Sequence, residues 1–280
     1  MSIYVEETKI FSMSDRVKVF GSPNRANIGI ITGSGSTLLI DSGHNEDHVN
    51  QLFSLLPSLQ FDYTVLTHFH MDHTLGLAYL NCPGIAHKNM IQNLIDYRQK
   101  DFSDAGLEKL VQQGLIHREE LHWYQREYPD RSKINFKHPI ISYNNQLTLD
   151  LGNLTIELSH IACDHTNDTT VVYVPDEEAL FIGDCLSPGP LPKSTFTMPV
   201  LRNMLDYFFS FDSKILVEGH GPPLNNGDGT RYLTDLLTVA NFFEIYGSET
   251  DQQIDLIMTK MNMFDVDSVK VYVQLFMNGL

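Results

Sequence analysis

Residues Thr67-His68-Phe69-His70-Met71-Asp72-His73 place three imidazoles and one carboxylate within six consecutive positions. Neutral imidazole and ionised carboxylate are the side chains that hold Zn2+ or a similar borderline cation. Core packing does not produce such a cluster, because each buried polar group would need its own partner. His68 and His70 are two apart, so an extended turn can point both to one side. Asp72 and His73 open the next helix and reach a second point. One short loop can therefore serve two metals a few Å apart, the arrangement of two-metal hydrolytic sites. Such a pair needs further ligands, and three fit by position at strand ends: His165 before a strand at 170–174, Asp184 after 180–182 and His220 after 215–217. A carboxylate such as Asp184 can bridge two cations and offset their repulsion.

The elements that must position these groups are legible as alternating short strands and helices. Segments 16–20, 26–32 and 37–40 are β-rich, and Gly33-Ser34-Gly35-Ser36 is a hairpin turn between the last two. Val49, Leu52, Phe53 and Leu56 have helical spacing. A strand at 63–66 delivers the histidine cluster, and 75–80 reads as helix. From Met90 to about Tyr128 the pattern is helical with a break at 101–104. Strands return at 147–149, 154–158, 170–174, 180–182 and 215–217. The stretch 187–199 reads as an ordered Pro-rich loop, and helix resumes from Thr230.

The chain has 280 residues, 42% hydrophobic and 19% charged, which suits one domain spanning 1–280. Within it, 87–140 reads as a helical insertion and 230–280 as a helical C-terminal extension. Three scattered cysteines (Cys82, Cys163, Cys185) form no disulfide framework. No secretory signal pattern opens the chain and no apolar run spans a bilayer, so the expected location is cytoplasmic. The net charge of -16 repels nucleic acid and anionic lipid. Segment 87–140 differs from the rest, with nine Lys/Arg against eight Asp/Glu, whereas ten and 27 lie elsewhere.

Taken together, Asp41, HFHMDH, DHTNDTT, LFIGDCL and VEGHGPP resemble the metallo-β-lactamase superfamily, in its order, over roughly residues 16–225. The resemblance implies an αβ/βα four-layer sandwich with the site at one rim. It implies one metal on His68, His70 and His165, a second on Asp72, His73 and His220, and Asp184 bridging both. Asp41 matches the aspartate that orients the ligand loop from behind. Two departures stand out. Thr74-Leu75-Gly76 replaces the usual Gly-Gly after the histidines, and Asn167-Asp168-Thr169 replaces a Pro-Gly-Ser turn.

The resemblance implies a hydrolase in which two divalent ions, Zn2+ first and iron or manganese also compatible, share an activated water. That hydroxide is expected to attack a small thioester, ester or lactone, with Asp72 and Asp184 as the catalytic carboxylates. Asp184 stands where β-lactamases of this superfamily carry Cys or Ser, which points instead to the glyoxalase II, lactonase and quinolone-signal thioesterase branches. A phosphodiesterase, a flavodiiron-like redox protein and a regulatory binding protein are the alternatives; the redox reading conflicts with His70, where that group has Glu. Lys193, Tyr97 and Trp123 are candidate substrate contacts, although packing in the middle helices also explains the aromatics. The partner is a small molecule, with homodimerisation through the middle or C-terminal helices as an option. The remaining histidines (His44, His48, His87, His117, His122, His138 and His160) read as solvated or capping residues, with His44 the nearest to the site. Cys185 reads as a small buried residue and Asp164 as a turn carboxylate.

Overall fold

A computed structural model describes residues 5–188, 196–225 and 227–246. Alternating apolar residues organise its strands into two sheets. The first holds β1 (Lys9–Ser12), β2 (Val17–Gly21), β3 (Ile28–Thr32), β4 (Thr37–Ile40), β5 (Tyr63–Val65), β6 (Gly84–His87) and β7 (Ile141–Tyr143), in that spatial order. Pairing is antiparallel from β1 to β4 and parallel from β4 to β7. The second sheet contains β8 (Gln146–Asp150), β9 (Thr155–His160), β10 (Thr170–Val174), β11 (Ala179–Gly183) and β12 (Ile215–Glu218), ordered β12-β11-β10-β9-β8. Its pairs are antiparallel except β11 with β12, which run parallel.

Strand alternation decides which residues face where. On β4, Leu38 and Ile40 point between the sheets, while Leu39 points outward. On β11, Ala179 and Phe181 face inward, while Leu180 and Ile182 face outward. The inward set meets Val17, Val65, Ile156 and Val172 in one apolar layer between the sheets. Burying each such side chain contributes about 1.5–3 kcal/mol. Outside the first sheet, α1 (Glu46–Leu55) lays Val49 and Leu52 on Phe20, Ile28 and Leu39. Outside the second, α6 (Met198–Phe209) and α7 (Asp228–Tyr246) lay Leu201, Leu205, Leu233 and Leu236 on Leu180 and Ile182. The result is the four-layer α/β/β/α sandwich expected from the sequence.

Several elements differ from the sequence reading. The 75–80 run is not an α-helix: α2 (Met71–Thr74) is followed by a 3-10 turn at Leu75–Tyr79. Gly76 packs so close to the turn after β4 that a Cβ would lie 1.8 Å from Ser42 O, and this contact holds the backbone tight. The long helical stretch is three helices, α3 (Lys88–Arg98), α4 (Asp104–Gln112) and α5 (Arg118–Glu127). A second break follows α4, where Gly114 takes φ +68. Strands β1, β6 and β7 escaped the pattern, being only three or four residues long. Helix α6 begins inside the expected Pro-rich loop, with Pro199 in its first turn, where a missing N–H does no harm. Positions 189–195 and 247–280, with Lys193 and most of the expected C-terminal extension, lie outside the described residues.

Gly76→Ala tests the close approach. The added methyl must push the Ser42 turn away, and the expected loss is about 2–3 kcal/mol, or roughly 5–10 °C in melting temperature. An unchanged melting curve would show that this contact does not hold the rim.

Candidate metal centre

The ligand-type residues leave the strands at one rim, where the two sheets are bonded to each other. Thr170 N donates to Thr67 O at 2.7 Å, and Asn27 N donates to Gly219 O at 2.6 Å. The Asn27 side-chain amide also donates to Glu218 O and Gly221 O at 3.0 and 2.7 Å. These bonds bring the 67–73 loop of the first sheet against the 165, 184 and 220 turns of the second.

Three histidines meet first. His68 Nε2 lies 3.0 Å from His70 Nδ1, and His165 Nε2 lies 3.2 and 2.9 Å from those two atoms. Hydrogen bonding does not explain this triangle, because the protons are committed elsewhere. Thr67 Oγ1–H donates to Asp41 Oδ2 at 2.9 Å, so it accepts from His68 Nδ1–H at 3.0 Å. His165 Nδ1–H donates to Pro188 O at 3.2 Å. Lone pairs on His68 Nε2 and His165 Nε2 therefore face each other and His70. Nitrogen ligands about 2.0–2.1 Å from a tetrahedral cation stand about 3.3 Å apart, close to this spacing. Burial holds all three rings below the ordinary imidazole pKa, His70 down to about 3, so they are neutral and able to ligate.

A second group stands beside the first. His73, fully buried, donates Nδ1–H to Asp41 Oδ2 at 2.7 Å. Its Nε2 has no hydrogen-bond partner and looks toward Asp184 Oδ1 at 3.4 Å and Asp72 Oδ2 at 3.6 Å. His220 Nε2 lies 3.2 Å from Asp72 Oδ2 and 3.5 Å from Asp184 Oδ2. Asp184 thus faces both groups, because its Oδ2 is also 3.6 Å from His165 Nε2 and 4.0 Å from His68 Nε2. The same carboxylate requires Gly219 opposite it: a Cβ there would lie 1.9 Å from Asp184 Oδ1.

The electrostatics match a cation site. Burial alone would push Asp72 and Asp184 up, but the imidazoles of His73 and His220 hold both well below the carboxylate range. Burial alone would push His73 and His220 down, but Asp184 and Asp72 raise both. Five histidines and two carboxylates with lone pairs turned inward, and with orphaned atoms at His73 Nε2 and Asp184 Oδ1, form a donor set suited to divalent metal. The structure brings together all seven residues that the sequence nominated.

Asp41 sits behind them, 2% exposed, and accepts from Thr67 N at 2.7 Å, Thr67 Oγ1 and His73 Nδ1. Asp164, read as a turn carboxylate, instead accepts from Thr197 N at 2.7 Å, a long-range bond to the start of α6, and Cys185 is buried, as read from the sequence. Tyr97 packs its ring on Phe69 at 5.3 Å and bonds Tyr124 through its hydroxyl at 2.9 Å. Trp123 lies against His44, ring centroids 4.6 Å apart. His44 and His48 are not solvated, as the sequence suggested, but fully buried, His44 beneath Trp123 of α5 and His48 on the inner face of α1 against Phe20. His87 is also buried and does cap α3, accepting from Asn89 N.

The altered turn at Asn167-Asp168-Thr169 is held from outside. Asn89 and Asn93 of α3 donate to Asn167 O and Asn167 Oδ1, both at 2.8 Å. Asp168 is fully buried, and neither carboxylate oxygen finds a donor at full hydrogen-bond geometry. Burial pushes its pKa up to about 6.

The chain belongs to the metallo-beta-lactamase superfamily, whose family model matches residues 21–220. No curated protein matches the sequence. Among solved structures, a metallo-beta-lactamase from Pontibacter korlensis aligns with TM-score 0.56 and 16% identity, covering 84% of this chain and 99% of its own. A stereoselective inverting sec-alkylsulfatase from Pseudomonas sp. aligns with TM-score 0.60 and 14% identity, over 90% of this chain and 43% of the sulfatase. A flavodiiron core from Synechocystis sp. aligns with TM-score 0.56 and 15% identity, over 84% of this chain and 60% of its own. These likenesses establish the fold, and the family model establishes a superfamily of metal-dependent hydrolases. Among the described residues, no helix is long and apolar enough to cross a membrane.

Asp41→Asn is expected to weaken metal binding by about 10–100-fold, because the amide cannot accept from Thr67 and His73 together. Chelator competition measures this, and an unchanged affinity would remove Asp41 from its orienting role. Asp168→Asn should stabilise the protein at pH 7.5. The raised pKa favours the neutral carboxyl in the fold, so its contribution is full below pH 4 and is lost as pH rises through about 6. Urea unfolding should show the variant about 2–3 kcal/mol more stable at pH 7.5, with a smaller gap at pH 5. An equal or larger gap at pH 5 would contradict the assignment.

Proposed function

We propose that this chain is a dinuclear metal-dependent hydrolase of small thioesters, esters or lactones. The observation that carries the reading is Asp184, a buried carboxylate facing two sets of inward lone pairs, Oδ2 toward His68 and His165 and Oδ1 toward His73. In this reading His68, His70 and His165 hold one divalent ion, Asp72, His73 and His220 hold the other, and Asp184 serves both. The donor set suits Zn2+, and iron or manganese are compatible. When bound, such a pair supplies Lewis acidity that lowers the pKa of water and polarises a carbonyl.

The chain's own residues do the rest. Asp41 and Thr67 keep His73 and His68 in the tautomers that present Nε2. His220, with its side chain 44% exposed, and Asp72, at 22%, mark the open mouth where substrate enters. In this reading the second ion, or Asp72 beside it, assists the leaving group. A carboxylate at 184 favours the glyoxalase II, lactonase and quinolone-signal thioesterase branches over β-lactam cleavage. The net charge of -16 disfavours polyanions and supports a small-molecule substrate.

Elemental analysis of protein purified without added metal should find two ions per chain. Turnover should occur on a thioester or lactone within a panel that also holds a phosphodiester. His68→Ala and Asp184→Ala should each lose metal and reduce turnover by about 10^3-fold or more. Normal activity in either variant sinks the scheme. Turnover of the phosphodiester alone would move the protein to the phosphodiesterase alternative, and failure on the whole panel with metal bound would favour a binding protein.

A further inference from the structure

We propose that Cys163 and Cys185 close into a reversible disulfide behind the metal centre, and that a peroxide which closes it loosens the hold of His165 and Asp184 on the metal. The cross-link stands apart from the functional reading; only its effect on turnover rests on the hydrolase reading. Cys82, Cys163 and Cys185 are free thiols, and the last two meet. Cys163 stands in the connection from β9 to β10, two residues before His165, and Cys185 follows Asp184 at the end of β11. Cys163 Sγ–H donates to Cys185 O at 3.6 Å, and the Cys185 thiol is itself hydrogen-bonded to the Cys163 sulfur. Both side chains belong to the apolar layer under α6 and α7, Cys185 beside Leu180 and Ile182, and neither joins the ligand groups. Cys82 is out of reach. It packs with Leu39 and Val49 on the outer side of the first sheet and pairs with the Thr64 hydroxyl at 3.0 Å.

The two thiols are tied to the ligands they stand behind. His165 N donates to Cys163 Sγ at 3.4 Å, and His165 Nδ1–H donates to Pro188 O at 3.2 Å. Pro188 lies in the turn that starts at Asp184, where Ser187 N donates to Asp184 O at 2.9 Å. A covalent bond draws the sulfurs from hydrogen-bond contact to bonding contact. The segment before His165 and the turn after Asp184 then shift against each other. His165 Nε2 and Asp184 Oδ2, 3.6 Å apart in the open form, are carried with them. Disturbed supports of metal ligands cost about 10–100-fold in affinity.

The chemistry needs only a peroxide as oxidant. Cys163 is the partly exposed member of the pair, whereas Cys185 is 1% exposed, so the oxidant meets Cys163 first. The Cys163 sulfur attacks one peroxide oxygen, the O–O bond breaks, and water leaves with the thiol proton, giving a sulfenic acid. The Cys185 sulfur then attacks the Cys163 sulfur. The S–S bond forms, the S–O bond breaks, and the hydroxyl leaves as water with the Cys185 proton. Two thiols lose two electrons and two protons in all, and hydrogen peroxide takes them up as two waters. Thiol–disulfide exchange with a dithiol reverses the step.

The test treats reduced, zinc-loaded protein with hydrogen peroxide. Digestion without reductant, read by mass spectrometry, should recover a peptide that joins Cys163 to Cys185, with Cys82 still free. Chelator competition should show zinc held at least about tenfold more weakly, and dithiothreitol should restore the original affinity. Turnover of a panel substrate should fall and recover in step. Cys163→Ala should give no cross-link and keep its zinc affinity through the treatment. Cys185→Ala should do the same from the other sulfur, which keeps the test open if one variant fails to fold. Cys82→Ala should respond as the wild type does. Cys163 carried on to sulfinic acid while Cys185 stays a free thiol, a cross-link that leaves zinc affinity unchanged, or an equal loss of affinity in Cys163→Ala overturns the proposal. A cross-link that weakens zinc in a protein with no turnover on the panel removes the hydrolase reading and keeps this one. Turnover without any cross-link does the reverse.

Discussion

The hydrogen bond from His73 Nδ1–H to Asp41 Oδ2, at 2.7 Å, governs how the rim is built. It forces His73 to present the Nε2 lone pair. The same Asp41 oxygen takes the Thr67 hydroxyl proton, which leaves Thr67 Oγ1 free to accept from His68 Nδ1. One carboxylate therefore sets the tautomers of two ligand histidines, one directly and one through a threonine. Asp41 reaches this position with φ +64, a left-handed conformation that Asp tolerates better than most residues. Such a backbone costs about 1–3 kcal/mol and persists only where the surroundings over-determine it. Three donors to one buried carboxylate supply that constraint.

Asp41 can act only if the two sheets keep their ends level, since four of the seven ligand-type residues come from the first sheet and three from the second. Asn27 does part of this with three bonds across the rim, to Gly219 O, Glu218 O and Gly221 O. Thr170 N on Thr67 O does the same beside His68. Both contacts engage backbone groups that strand pairing would leave unpaired at the ends of β5, β10 and β12. The rim thus satisfies its own backbone while fixing the spacing of the ligands. Gly219 and Gly76 mark where the approach is closest, and neither position leaves room for a methyl group.

This explains what could be read from the sequence and what could not. Ligand chemistry is local: His68 to His73, His165, Asp184 and His220 announce themselves by residue type and by their place at strand ends. Strands such as 37–40 and 170–174 were legible as short apolar runs, whereas the four-layer arrangement came from the family resemblance that the motifs carry. Strands β6 and β7 were missed because three or four apolar residues beside helices carry no period of their own. Helix α6 was missed because Pro199, which reads as a breaker, sits in the first turn, where it is harmless. The burial of His44 was invisible for a different reason. Its burial is created by Trp123 and Tyr128, about 80 residues away, and no local pattern encodes a contact of that range.

That distance gives helices α3–α5 a structural part in the site. Helix α5 and its C-terminal residue Tyr128 grip the turn that carries Asp41, through the Tyr128 hydroxyl on His44 O. Helix α3 grips the opposite side, through Asn89 and Asn93 on Asn167, two residues from His165. Tyr97 presses Phe69, which lies between His68 and His70. Helices α3–α5 therefore touch three of the loops that bear or orient the ligand-type residues. The Asn167-Asp168-Thr169 turn lacks the glycine and proline that would stiffen it from within, and the α3 asparagines supply an external support in their place. A change in the packing of α3–α5 would be transmitted to His165 through Asn167 and to His73 through Asp41, so these helices bear on the geometry of the ligand-type residues.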